Sequence, residues 1–401
     1  MSFQERHRTA AISSGAQRYG QPFWSTRETL AIKGRNQMRF LPLFRFLNGR
    51  RLLLGSLAVA VIALLCGCRV VPGPKPIFRH DLRPFGFPTA TLGRIVGSFS
   101  DVSFVTNDLV LVTVNTTTFG DEGSSDFDQP ESRLLLFDLS RREAPTTVTM
   151  PVRKAKESVQ SAGNGSFVLL NSAGVQICSR ALQCGPAVPT GGPMFLSPLG
   201  TRIAVGRVEQ KVVDGSTLRV LHEFGANEPK VIPGDDDGLL YTQQGKLYIT
   251  RADHPEPQFV LDTASTGVWP EARFLDGNTV SAVQADKTMA IAHIDGKVLA
   301  HMSLSPGSFL AGVSTSASGS RFCFHDAGYT GWNALLSYVS SDRPFNLERV
   351  NVMETATGKS RFRLRWDPRP YVGELSRPAL SPDGHLVALI RHGFLEVFSI
   401  P

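Results

Sequence analysis

The strongest constraint on the fold is a short unit that recurs along most of the chain: an apolar run, a tight polar turn, and a second apolar run. Its sharpest copy is Pro378-Ala379-Leu380-Ser381-Pro382-Asp383-Gly384-His385-Leu386-Val387-Ala388-Leu389. Glycine suits the turn because tight reversals often demand a positive φ. Degenerate copies are Phe195-Leu196-Ser197-Pro198-Leu199-Gly200 before Ile203, Phe274-Leu275-Asp276-Gly277 before Val280, and Ser314 to Gly319 before Phe322. Weaker ones centre on Asn107-Asp108, Gly165 and Asp237-Gly238. The turns fall at 108, 165, 200, 238, 277, 319 and 384, with gaps of 57, 35, 38, 39, 42 and 65. Short β-rich runs alternate with Gly, Asp, Asn and Pro, and no long 3.6-residue periodicity appears, which argues an all-β chain.

Most of the gaps lie near the roughly 40–45 residues of a four-stranded propeller blade. The pattern, over roughly residues 96–401, resembles WD-repeat-like β-propellers of the Ser-Pro-Asp-Gly type found in bacterial exported proteins. That resemblance implies a single β-propeller of four-stranded blades, and the seven copies suggest seven of them, to within one. The chain ends on a strand, Phe394 to Ile400, so the last unit lacks a fourth strand. A segment within residues 77–95 is expected to pair with it and close the ring, removing open sheet edges.

Upstream, Arg50-Arg51 precede 14 apolar or small residues, Leu52 to Leu65, and then Cys66-Gly67-Cys68. About 20 residues are needed to span a bilayer, whereas a signal-peptide core takes roughly 7–15. The stretch resembles a bacterial lipoprotein signal with Leu65 at −3, Gly67 at −1 and Cys68 as the lipid acceptor. The acceptor must be a thiol to form the thioether, and the residue before it must be small. An uncleaved anchor helix is the alternative. The lipoprotein reading implies a body tethered to the membrane through lipid, facing the periplasm or another extracytoplasmic space. Residues 1–37 read as a disordered leader or an over-extended start, because Met38 opens an ordinary basic signal region. Residues 38–67 are then the signal, 68–90 a Pro-rich tether and 91–401 the propeller.

The charge agrees with that division. The chain has 42 Lys and Arg against 35 Asp and Glu, but residues 1–67 hold ten of the bases and two of the acids. The remainder, with 32 bases and 33 acids, offers no electrostatic footprint for nucleic acid.

Cys178 and Cys184 lie in an apparent hairpin from Val175 to Val188. In an oxidising compartment a disulfide across it is expected, with two independent thiols the alternative. Cys323 alternates with Phe322 and Phe324 and reads as a core residue.

No nucleophile elbow, zincin helix, P-loop or dinucleotide fingerprint is present. His293 and His301 flank a turn but lack the carboxylate spacing of a metal site. Quinoprotein propellers carry a tryptophan in nearly every repeat, whereas here only Trp269, Trp332 and Trp366 follow the signal, which argues against a quinone cofactor. No cofactor is expected. Calcium has two weak candidate sites, Asp235-Asp236-Asp237 and the loop bearing Asp121, Asp126 and Asp128, neither with EF-hand spacing.

The two long gaps hold insertions, Phe119 to Glu131 and Ala327 to Arg349. The second carries Tyr329, Trp332, Tyr338, Arg343 and Phe345, residue types favoured as interface anchors. The expected function is a monomeric, membrane-anchored interaction scaffold that binds an envelope protein or peptide. A lactonase-like, metal-dependent propeller hydrolase is the alternative.

Overall fold

The structure is a computed structural model describing residues 73–87, 100–115, 131–141, 143–151, 158–161, 165–171, 174–190, 192–263, 272–284, 288–304, 309–328, 347–367 and 378–401. All lie in the compact unit Val71–Pro401. Among them the only helix is a single 3-10 turn, Arg83–Phe85, stopped by Gly86 in the left-handed region. No helix among the described residues is long and apolar enough to cross a membrane.

Strand β1 is Phe78–Asp81. Sheet 1 runs β2 (Asp101–Phe104), β3 (Leu109–Asn115), β4 (Glu131–Asp138), β5 (Thr146–Pro151), and sheet 2 runs β6 (Ser158–Ser161), β7 (Ser166–Asn171), β8 (Gly174–Ser179). Sheet 3 is β9 (Met194–Leu196), β10 (Arg202–Val205), β11 (Gln210–Asp214), β12 (Val220–Phe224). Sheet 4 is β13 (Val231–Pro233), β14 (Leu239–Gln243), β15 (Lys246–Thr250), β16 (Gln258–Asp262), and sheet 5 is β17 (Ala272–Phe274), β18 (Thr279–Val283), β19 (Thr288–His293), β20 (Val298–Ser303). Sheet 6 is β21 (Phe309–Thr315), β22 (Arg321–Gly328), β23 (Leu347–Glu354), β24 (Ser360–Trp366). The last sheet joins β25 (Ala379–Leu380), β26 (Leu386–Arg391) and β27 (Phe394–Ser399) to β1.

Every pairing is antiparallel between neighbours in sequence, except that β1 pairs with β27, Phe78 opposite Val397 and Asp81 opposite Phe394. The chain is all-β, and its small antiparallel sheets form a β-propeller with six four-stranded blades. Sheet 2 departs from the four-strand expectation. Beside β8, residues 183–188 make only isolated bridges, Val175 to Val188 and Cys178 to Cys184. Pro186 and Pro189 lack the N–H that a regular ladder requires. Cys178 and Cys184 are joined by a disulfide that fixes this irregular edge.

Strand β1 also lies inside the stretch 68–90, read from sequence as tether, so the folded chain begins well before residue 91. Phe78 and His80 pack on Phe137 with ring centroids 6.0 and 5.0 Å away, and Leu82 is fully buried. The prolines at 72, 74 and 76 end just before this alternation begins.

The repeated turn has one physical basis in its three best copies. Ser197, Ser316 and Ser381 are buried, and each accepts a hydrogen bond at Oγ from the amide five residues on, at Arg202, Arg321 and Leu386. The amides of Gly200, Gly319 and Gly384 donate back to the serine carbonyls. At Gly319, φ is +66° and an added Cβ would sit 2.6 Å from Asp276 Cβ, so glycine is required there.

The cores lie between sheets. One cluster joins Phe195 and Ala204 of sheet 3 to Leu240 and Leu247 of sheet 4 and to Val280 and Ala290 of sheet 5. Another joins Phe104, Val112 and Phe137 of sheet 1 to Ala388, Leu395 and Val397 of the last sheet. Val105 and Leu111 pack with Phe167 and Leu169 across sheets 1 and 2, and Val168 with Ile203 across sheets 2 and 3. Met289 and Phe324 connect sheets 5 and 6, while Val350 and Phe398 connect sheet 6 to the last.

Candidate functional site

In each sheet the connection between the first two strands leaves from one rim. On that rim the turns bond to one another. Asp383 N donates to Asn107 Oδ1 at 3.1 Å, Ser318 N to Pro382 O at 3.4 Å, and Arg251 Nη2 to Gly277 O at 2.8 Å. Antiparallel alternation sends the connection between second and third strands out at the opposite rim. Both long insertions are connections of this kind, β3 to β4 and β22 to β23, so their stems share that rim. The β26–β27 turn, with His392 at φ +53°, lies there too, and His392 Nε2 bonds to Asp367 O at 2.8 Å.

The distinctive chemistry sits at the root of the second insertion. In β22 the run Phe322-Cys323-Phe324-His325-Asp326 is apolar until its last two residues, and β23 begins Leu347-Glu348-Arg349. Pairing places Asp326 opposite Arg349 and His325 opposite Val350, with Glu348 its diagonal neighbour two residues along β23 on the same face. Towards sheet 5, Arg349 Nε and Nη2 donate to the two oxygens of Asp326 at 2.7 and 2.9 Å, and Nη2 also reaches Ser303 O at 3.2 Å. Towards the last sheet, His325 Nε2 lies 3.2 Å from Glu348 Oε2, and its ring stacks on Trp366 at 5.7 Å. His325, Asp326 and Glu348 are all under 4% exposed and Arg349 is 9%. Four ionisable groups are thus buried back to back at the end of one hairpin. Burial of a charge is costly unless it is paired and hydrogen-bonded; here Asp326 has the Arg349 guanidinium, and Glu348 and His325 are hydrogen-bonded to each other.

Further along β23, Asn351 Oδ1 accepts from Arg363 Nε of β24 at 2.8 Å, and Arg361 Nη2 donates to Glu354 Oε1 at 2.8 Å. The Thr357 hydroxyl and Arg361 hold the Glu354 carboxyl below its ordinary range. Burial pushes the Cys323 thiol up to about 12, so it stays protonated and unreactive.

Tyr329, Trp332, Tyr338, Arg343 and Phe345 lie outside the described residues, as do Cys68, Asp121, Asp126 and Asp128. The Asp235–Asp237 turn is already committed to protein partners. Asp235 accepts from Leu199 N and Thr201 Oγ1, Asp236 pairs with Arg251, and Asp237 with Arg202. His293 pairs with Asp295, and His301 faces Ala290 rather than His293. Among the described residues no group of three or more His, Cys, Asp or Glu is placed to hold a metal.

The His325–Glu348 and Asp326–Arg349 pairs escape a reading of the sequence alone. Their signal is mirror placement, His-Asp entering the insertion and Glu-Arg leaving it, visible only once the hairpin register is known. No protein-family model matches the chain, and no curated protein matches it in sequence.

Proposed function

We propose that this protein is a lipid-anchored, extracytoplasmic β-propeller of seven blades, closed by β1, that acts as an interaction scaffold for an envelope protein or peptide. Sheet 2 with its disulfide-tied edge counts as the seventh blade. The observation that carries the reading is the buried polar root of the β22–β23 connection, with one ion pair and one histidine–glutamate hydrogen bond. Two buried pairs fix the register of the stems that flank, in sequence, Tyr329, Trp332, Tyr338, Arg343 and Phe345. Rigid scaffolds presenting aromatic and arginine side chains on a connection suit recognition, since little ordering is left for the stem to undergo on binding.

The test is cross-linking from intact membranes followed by capture of the tagged full chain. A discrete partner lost on Tyr329→Ala/Trp332→Ala supports the scaffold. Hydrolytic activity abolished by histidine or aspartate variants, with no partner captured, would favour the enzyme. For the anchor, Cys68→Ser should release the protein from membranes and abolish palmitate labelling; unchanged labelling would refute lipidation at Cys68.

A further inference from the structure

Strand β24 is the outermost strand of sheet 6, and among the described residues nothing pairs with its free edge. It reads Ser360-Arg361-Phe362-Arg363-Leu364-Arg365-Trp366. Phe362 and Leu364 are buried towards the last sheet, so the three arginines share the other face, about 7 Å apart along the strand. Of the outer strands β5, β12, β16, β20, β24 and β1, only β24 carries more than one Lys or Arg, and the single Arg79 of β1 is paired with Glu396.

The arginines are unequally satisfied. Arg361 has Glu354, whereas Arg363 meets only the neutral amide of Asn351. Arg363 and Arg365 are exposed, and neither has a carboxylate within ion-pair distance among the described residues. Arg349, directly across from Arg365, is already saturated by Asp326. Beneath them Asn351 is 2% exposed, and its buried Nδ2 has no acceptor; the buried Nε of Arg361 has none either. Both of these unmet atoms are donors. Such a surface calls for acceptors carrying negative charge, spaced like the arginines. An extended chain with a carboxylate at every second residue has that spacing, and an edge strand offers the backbone groups to align it.

We infer that β24 is the docking edge for an extended acidic segment of a partner protein. The segment adds as a further antiparallel or parallel strand, its alternate carboxylates lying over Arg361, Arg363 and Arg365. This rests on the scaffold reading for the existence of a protein partner, but it places recognition on the outer edge of sheet 6 and names the partner's chemistry.

The test uses the full chain and a short labelled peptide of alternating Glu and Thr. Controls are the Gln/Thr peptide, a version N-methylated at alternate amides, and phosphatidylglycerol vesicles. The expected result is saturable binding that weakens as salt rises. It should fall about tenfold or more in Arg363→Glu/Arg365→Glu, by less in Arg365→Glu alone, and survive largely in Arg363→Lys/Arg365→Lys. Matching thermal melts show that the variants fold. Equal binding of the Gln/Thr peptide, unchanged binding by the charge-reversed variants, or indifference to N-methylation overturns the inference. Vesicle binding without peptide binding overturns it in favour of an anionic surface. A partner still captured from membranes by β24 variants but lost with Tyr329→Ala/Trp332→Ala overturns this inference and leaves the scaffold standing. Loss of all capture in the parent chain removes the scaffold itself.

Discussion

Arg349 grips Asp326 in a two-pronged ion pair across the β22–β23 hairpin, at 2.7 and 2.9 Å, with Asp326 fully buried. Removing one partner strands the other charge in the core. Asp326→Ala or Arg349→Ala should therefore each cost about 3–5 kcal/mol of stability. Replacing both with apolar residues, Asp326→Leu/Arg349→Met, should cost far less, since the desolvation of two ions is avoided. Urea denaturation of the three variants checks this. A double variant as unstable as the singles would show that the pair itself, and not the orphaned charge, matters.

The β class and the repeat were legible because the Ser-to-Gly turn is a local device: its hydrogen bonds span five residues, as at Ser381 and Leu386. The site was less legible because it depends on register across a long connection. His325 and Glu348 are 23 residues apart in sequence, and only the pairing of β22 with β23 makes them neighbours. The aspartate turn shows the same limit. Sequence makes Asp235, Asp236 and Asp237 a turn and only a weak calcium candidate; it does not show that Leu199, Arg202 and Arg251 are brought to them from outside the turn. At the start of the chain, proline-rich composition drew the tether too far, although Phe78 and His80 already alternate as a strand should.

Leu82 is fully buried against sheet 1 and the last sheet, while Ile77, just before β1, is 56% exposed. Leu82→Ala should cost about 2–5 kcal/mol through lost burial and the cavity left behind. Ile77→Ala should stay within about 0.5 kcal/mol. If chemical denaturation finds Leu82→Ala neutral, residues 78–87 are tether after all.

Asp214 Oδ1 accepts from the hydroxyls and amides of both Ser216 and Thr217, at 2.7 to 3.0 Å. Led by the Ser216 hydroxyl, these bonds hold its carboxyl well below the ordinary range. The folded state then binds the proton less readily than the unfolded chain does. The stabilisation is fully present above the unfolded value of about 3.9 and is lost as pH falls below it towards the depressed folded value. The stability gap between the parent and Asp214→Ala should be constant near neutrality and shrink below about pH 4. Thermal melts across that range decide it; a gap independent of pH would mean that the carboxylate charge plays no part.

Asp235 joins sheets 3 and 4, taking the Leu199 amide at 2.9 Å and the Thr201 hydroxyl at 3.0 Å. Its neighbours are equally engaged, Asp236 with Arg251 and the Gly238 amide, and Asp237 with Arg202. A calcium ion entering this turn would have to compete for these carboxylates with two arginines, two amides and a hydroxyl, and it needs six to eight oxygen ligands. Asp235→Ala should accordingly destabilise the protein by about 1–3 kcal/mol, because it leaves the Leu199 amide without its acceptor. The loss should be the same with calcium as with chelator. A calcium-dependent rise in Tm that disappears in Asp235→Ala would show that the turn is a cation site and that its arginines yield.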